Sequence, residues 1–217
     1  MLGLAVPPSR GDARRLLLLG AHPDDIEIGC GGTVLHLLDR LGPVQVTWVV
    51  LAAHGEREQE AHASAAAFLK EAAAARVVVA GFRDGFLPFE GAAVKERFEA
   101  LKQEVDPDVV LTHRRDDAHQ DHRLVAELTW NTFRDHLILE YEVPKWDGDL
   151  RPPNLFVPLP RHACERKVEL LLEQFPSQRG RRWFTADTFW SLLRLRGVEA
   201  GCDHAEAFHA RKLVLAP

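Results

Sequence analysis

Cysteine is scarce in this chain: Cys30, Cys164 and Cys202 stand far apart, and no C-x-x-C occurs. That excludes a disulfide-stapled scaffold and a cysteine-built zinc site, and it fits a reducing, cytoplasmic setting. Long apolar runs are missing as well. The longest uncharged stretch, 41–53, falls far short of the ~20 apolar residues a membrane helix needs, so no stable membrane insertion is expected. The opening MLGLAVPPSR has no basic n-region, and its apolar stretch is too short for a signal peptide. Positive charge is not in excess either; a net charge of −5 argues against nucleic acid as a general partner. Gly29, Gly31 and Gly32 form G-x-G-G rather than G-x-G-x-x-G, which argues against a nicotinamide dehydrogenase. Tight chain passage explains them better. No internal repeat or low-complexity segment interrupts the chain.

What is present reads as one α/β domain over 1–217, with residues 1 to about 13 as a loose lead-in. Hydrophobic residues make up 46% and charged residues 27%, within the globular range. The apolar, β-rich runs Leu16–Leu19, Val44–Leu51, Arg76–Ala80 and Asp108–Thr112 suit strands buried on both faces of a parallel sheet. Between them, Gly32–Arg40, Arg57–Ala74 and Ala93–Glu104 have the length of crossover helices. A helix over His119–Arg134 and a strand over Leu137–Val143 follow. The last third is less regular: a loop at Lys145–Pro153, a short strand at Asn154–Leu159, a helix at Arg161–Glu173, a basic aromatic loop at Phe175–Trp183, a helix at Thr185–Arg196 and a closing element at Ala207–Leu215. The expected architecture is a Rossmann-like, mostly parallel sheet flanked by helices.

Two clusters carry the chemistry. His22-Pro23-Asp24-Asp25-Ile26-Glu27-Ile28-Gly29-Cys30 directly follows the first strand, and Asp117-Ala118-His119-Gln120-Asp121-His122 follows the fourth. In an open parallel sheet ligands bind beyond the carboxyl ends of the strands, so both clusters meet at one edge if these strands are neighbours. His22, Asp25 and His122 then form a two-histidine, one-carboxylate triad. Zinc held by three protein ligands keeps a position open for water, and iron(II) suits the same triad. The plain alternative makes His22 and Asp25 helix caps and His122 a surface residue.

Ala21-His22-Pro23-Asp24-Asp25 and His119-x-Asp121-His122 closely resemble the PIG-L/LmbE family of metal-dependent N-deacetylases. The resemblance runs from Leu16 to about Lys212. It includes the weaker segments Gly81-Phe82-Arg83-Asp84-Gly85, Arg196-Gly197 and Ala205-Glu206-Ala207-Phe208. It implies that His22, Asp25 and His122 carry the metal (zinc, with iron(II) open in the cell) and that Asp24 is the general base. A metal acidifies water towards a pKa of ~7, and a nearby carboxylate then accepts the proton. It further implies that a protonated His119 steadies the tetrahedral oxyanion while Asp121 orients that imidazole; Asp121 also reads as a helix N-cap. Asp117 matches an acidic position where some members carry tyrosine. Tyr141, the only tyrosine, is too remote in sequence for that role. Arg57, Asp84, Arg196 and Glu206 become candidates for binding the substrate, a small acetylated amino sugar or conjugate. The plain readings are an ion-paired helix start for Arg57 and a turn residue for Asp84.

Glu27 reads as structural, His113 as a neighbour of the metal ligands, and His62 as a helix-surface residue. Gln178–Trp183 reads as a phosphate grip or a solvated loop. Trp130, Trp146, Trp183 and Trp190 suit either the core or a sugar face. The leading expectation is a deacetylase acting on an N-acetylglucosamine-like sugar. Its rivals are a non-haem iron oxygenase and a non-catalytic sugar-binding module. A homo-oligomer is left open.

Overall fold

The computed structural model describes residue 3 and residues 11–214. Most of the expected lead-in, and the end of the closing element at Leu215, lie outside the described residues. Four consecutive leucines build the first strand, β1 (Arg14–Gly20). Leu16 and Leu18 enter one core while Leu17 and Leu19 enter another, as the two-residue period of a strand dictates. All four are buried, which requires helices on both faces.

Parallel to β1 run β2 (Val44–Val50), β3 (Ala74–Val79), β4 (Val109–His113) and β5 (Leu137–Tyr141). The sheet order is β3-β2-β1-β4-β5-β7-β6. There β7 (Ala205–His209) runs antiparallel between β5 and β6 (Leu155–Pro158). One face is covered by α1 (Asp25–Arg40), α2 (Glu56–Phe68), α5 (Arg161–Gln174) and α6 (Ala186–Ala200). The other is covered by α3 (Gly91–Glu104) and α4 (Gln120–Thr132). Among the described residues, no helix is long and apolar enough to cross a membrane.

The strand order matters most for function. Leu16–Leu18 pair with Val109–Leu111, so β1 and β4 are direct neighbours. The chain leaves β1 towards β2 on one side and reaches β4 on the other. A crevice therefore opens beyond their carboxyl ends, where both clusters emerge.

Several boundaries depart from the sequence-based expectation. Helix α1 begins at Asp25, not Gly32, because its glycines are packing surface rather than a turn. A β-carbon added to Gly31 would meet the Phe68 ring at 2.7 Å, and one on Gly32 would meet Leu159 at 2.6 Å. Helix α2 stops at Phe68, since Ala74 already pairs with Gln45 in the sheet. The closing element starts two residues earlier than expected and ends at His209.

Candidate metal centre

The first cluster sits on the turn from β1 into α1. The Asp25 carboxylate accepts the His22 backbone N–H at 2.7 Å, which folds the turn back on itself. Between them Asp24 takes the left-handed conformation, at φ 89° and ψ −24°. It is the one described non-glycine residue with positive φ, and such a residue costs on the order of 1–3 kcal/mol, held only where its surroundings over-determine it. The second cluster lies on the turn from β4 into α4. His119 is the N-cap, and its Nδ1 accepts the Asp121 backbone N–H at 3.2 Å.

His22, Asp25 and His122 come together. His22 Nδ1 lies 3.3 Å from His122 Nε2 and 3.3 Å from Asp25 Oδ2, and His122 Nε2 lies 3.3 Å from Asp25 Oδ1. Zinc–nitrogen bonds of ~2.0–2.1 Å in a tetrahedral shell separate the ligand atoms by roughly 3.3 Å. The donor set therefore fits a small divalent cation. Each imidazole also meets a carboxylate through its other nitrogen, the usual support for a metal-ligating histidine. His22 Nε2 bonds Asp121 Oδ2 at 3.1 Å, and His122 Nδ1 lies 3.2 Å from Asp117 Oδ2.

The field of the site is negative. Burial opposes charge on His22, yet hydrogen bonds to Asp121, Asp25 and Asp84 hold its pKa well above the ordinary histidine value. His122 is raised for similar reasons, with burial outweighed by Asp25 and Asp117. Asp25 and Asp117 lie below the usual carboxylate range; burial would raise both, but the surrounding histidines outweigh it. The field that favours protons on these rings favours a cation between them. Asp24 behaves differently. Burial pushes it up to about 7, against the pull of Arg57 and with the Asp25 charge adding to the rise.

Asp121 differs from expectation. Its carboxylate bonds His22 and receives the backbone N–H groups of Gly85 at 2.8 Å and Leu87 at 3.2 Å, so Asp121 meets the His119 ring through its backbone N–H rather than its carboxylate. The expected N-cap is also His119 rather than Asp121. Nor does His119 favour a proton: burial, with His122 and His22 nearby, lowers its pKa. With Nδ1 accepting from the backbone, a neutral His119 carries its hydrogen on Nε2 and remains a donor. One donor atom each of His22, His119 and His122 lie within 4.8 Å of one another.

The substrate candidates divide. Asp84 is 80% exposed, with Oδ1 3.1 Å from His22 Nε2. Arg57 reaches the site but is engaged by protein: Nη2 donates to Pro23 O and, at 3.0 Å, to Asp24 Oδ2, while Nη1 donates to Glu60 at 2.9 Å. Arg196 and Glu206 are buried and bonded elsewhere. Arg196 pairs with Glu142 at 2.6 Å and with Glu199. Glu206 accepts the backbone N–H groups of Gly32 and Thr33 and pairs with Lys167 at 2.6 Å. Two buried groups whose polar atoms are spent on the fold are placed to hold α1, α5 and α6 on the sheet, in contrast to the expected sugar contact.

His113 lies beneath the centre, its ring stacked 3.8 Å from that of His122 and its Nε2 accepting the Ala21 N–H at 2.9 Å. Tyr141, remote in sequence, closes the same layer from below, with its hydroxyl donating to Leu19 O at 2.7 Å. Glu27 is buried and accepts from Ser64 at 2.6 Å, a structural role. Sequence reasoning missed Lys145 and Asp149. Lys145 Nζ lies 3.0 Å from Asp117 and 2.8 Å from Asp149, clamping the 144–150 loop beside the site. Their spacing of four carried a signal only for a helix, and they lie in a loop.

Sheet order and site together define a Rossmann-like α/β protein with a candidate metal centre at its strand switch point. Residues 17–133 match the family model of the PIG-L GlcNAc-PI de-N-acetylases, and the chain belongs to that family. Solved structures share the fold. A conserved protein from Thermus thermophilus is 21% identical, with a TM-score of 0.71 over 93% of this chain and 96% of its own. The N,N'-diacetylchitobiose deacetylase of Pyrococcus horikoshii is 20% identical, with a TM-score of 0.68 over 92% and 84%. The 4-carboxy-2-hydroxymuconate hydratase of Pseudomonas putida is 17% identical, with a TM-score of 0.71 over 94% and 98%. A comparison with curated protein sequences finds no match.

Proposed function

We propose that this protein is a divalent-metal-dependent N-deacetylase that hydrolyses the acetamide of an N-acetylglucosamine-like sugar or sugar conjugate. One observation carries the reading: His22 Nδ1 and His122 Nε2 lie 3.3 Å apart, each is 3.3 Å from one oxygen of Asp25, a spacing suited to a small cation, and the buried carboxylate of Asp24 stands beside them. Family membership and the deacetylase among its structural neighbours support the substrate class. His22, Asp25 and His122 would hold the metal. When bound, zinc or iron(II) supplies Lewis acidity and makes water easier to deprotonate.

The chain's own groups then divide the labour. Asp24 Oδ2 is held by Arg57, which leaves Oδ1 to take a proton from the attacking water. Oxygen adds to the acetamide carbonyl carbon, and His119 Nε2–H donates to the developing oxyanion. Asp24 returns the proton to the nitrogen as the C–N bond breaks, giving acetate and a free amine. With Oδ2 tied to Arg57, the same Oδ1 can take the proton and give it back.

The test is acetate release from N-acetylglucosamine, N,N'-diacetylchitobiose and acetylated glucosaminyl conjugates. Chelation should abolish release, and added zinc or iron(II) should restore it without dioxygen. Asp24→Asn should keep its metal and lose at least ~100-fold in kcat, the order expected for a general base. Metal retention with unchanged turnover would remove Asp24 from the mechanism. The hydratase with this fold motivates a second reading, addition of water to a conjugated alkene. Loss of alkene absorbance with no acetate released would favour it.

A further inference from the structure

We propose that Glu60 and Ser177 are positioning residues, which hold Arg57 against Asp24 and so couple the segment after α5 to the proton-accepting carboxylate. The inference rests on the reading of Asp24 as proton acceptor.

The chain of contacts is continuous and crosses three parts of the sequence. Ser177 lies in the short 3-10 turn Pro176–Gln178, 117 positions from Glu60. Its backbone N–H donates to Glu60 Oε1 at 2.7 Å, and its hydroxyl donates to Glu60 Oε2 at 2.7 Å. The same Oε2 accepts from Arg57 Nη1 at 2.9 Å, and Arg57 Nη2 reaches Pro23 O and Asp24 Oδ2. The guanidinium carbon lies 5.6 Å from the centre of the Phe175 ring, which is itself fully buried.

An ordinary surface pair at i,i+3 on a helix does not look like this. Glu60's side chain is only 5% exposed, and both of its oxygens are occupied. An Arg57 left free to meet sugar would not need Ser177, whereas an Arg57 that must hold a strained carboxylate needs a rigid anchor. Asp24 is that strained residue, and Arg57 grips both its side chain and the carbonyl before it. A left-handed aspartate persists only where neighbours enforce it.

Glu60→Gln tests the chain at near-constant volume. Whichever way the amide turns, an NH2 faces a donor on Ser177 or on Arg57. On the acetylated sugar that the wild type hydrolyses best, kcat should fall about tenfold, as for other outer-shell partners, with KM within about threefold and metal content unchanged. Ser177→Ala keeps the backbone contact and should lose less. The decisive arm is the double variant: in an Arg57→Ala background, Glu60→Gln should have no further effect on kcat, because it acts only through Arg57. Amide hydrogen exchange of the metal-loaded protein reads the same coupling without turnover. Exchange across 21–27 should accelerate in Glu60→Gln and in Arg57→Ala to a similar degree. Undiminished kcat and unchanged exchange in Glu60→Gln overturn the proposal, as do fully additive effects with Arg57→Ala. If Asp24→Asn keeps its turnover, the base assignment fails and this chain falls with it. If Asp24→Asn is inactive while Glu60→Gln is silent, the chain alone fails.

Discussion

Replacing Gly29 by alanine should destabilise the protein, while the same change at Gly91 should stabilise it. Both are helical, so intrinsic propensity favours alanine by roughly 1 kcal/mol at each. What differs is the space. A β-carbon on Gly29 would lie 2.1 Å from Tyr141 Cδ2 and 2.6 Å from its Cγ. Carbon atoms prefer about 3.5–4.0 Å, so helix or ring must retreat by more than an ångström. The ring is fully buried and its hydroxyl is tied to Leu19 O at 2.7 Å. Overpacking costs about 1–3 kcal/mol, and losing that hydrogen bond costs about 1 more. Net of propensity, Gly29→Ala should cost about 2 kcal/mol. Gly91 has φ −51° and ψ −35°, and an added β-carbon meets nothing within 4 Å. Its replacement should gain about 0.5–1 kcal/mol. Urea denaturation measures both; by melting, Gly29→Ala should fall by roughly 4–8 °C. Because Tyr141 packs 4.9 Å from the His113 ring, Gly29→Ala should also weaken metal retention. A Gly29→Ala stability within 0.5 kcal/mol of wild type would refute the packing account of α1.

Arg196→Ala breaks a buried ion pair with Glu142 and should cost about 3 kcal/mol in urea unfolding, with KM little changed; normal stability with a large rise in KM would instead return Arg196 to the substrate site. His119→Gln should lower kcat by about 100-fold with metal content intact, and an unaltered kcat would dismiss it as the oxyanion donor. Burial raises the thiol of Cys30 well above its ordinary value and that of Cys164 to about 11, whereas Cys202 is partly exposed. Titration with Ellman's reagent at pH 8 should therefore find one reactive thiol in the native protein and all three after denaturation.

The strands and the clusters were legible because each is local. Leu16–Leu19 announces a doubly buried strand, and His22-Pro23-Asp24-Asp25 places two candidate ligands on one turn. What sequence could not supply was the geometry between distant segments. Asp121 reads as a partner of His119 because they are two residues apart, yet its carboxylate crosses to His22, 99 positions away. Arg196 and Glu206 look like substrate residues when seen as charges in motif-like segments. Burial, which is set by α6 and β7, turns them into internal pairs. The glycines of α1 look like a turn because propensity speaks against them in a helix. Their use as a flat face against Tyr141 and Phe68 depends on elements the local sequence does not contain. The Glu60–Ser177 contact spans two segments that share no pattern at all.

The backbone at Asp24 also limits how this scaffold can be altered. At φ 89° glycine fits without strain, and asparagine and aspartate are the side-chain-bearing types that enter this region most readily, so inheritance offers few neighbours at this position. Asparagine keeps the shape and removes the charge. Glycine keeps the turn and removes the side chain. A longer acid would have to reshape the β1–α1 turn before its carboxyl group reached the place that the Asp24 carboxyl holds. Lineages that acquire new reactions on this fold should therefore change the loops around the centre long before they change the residue within it.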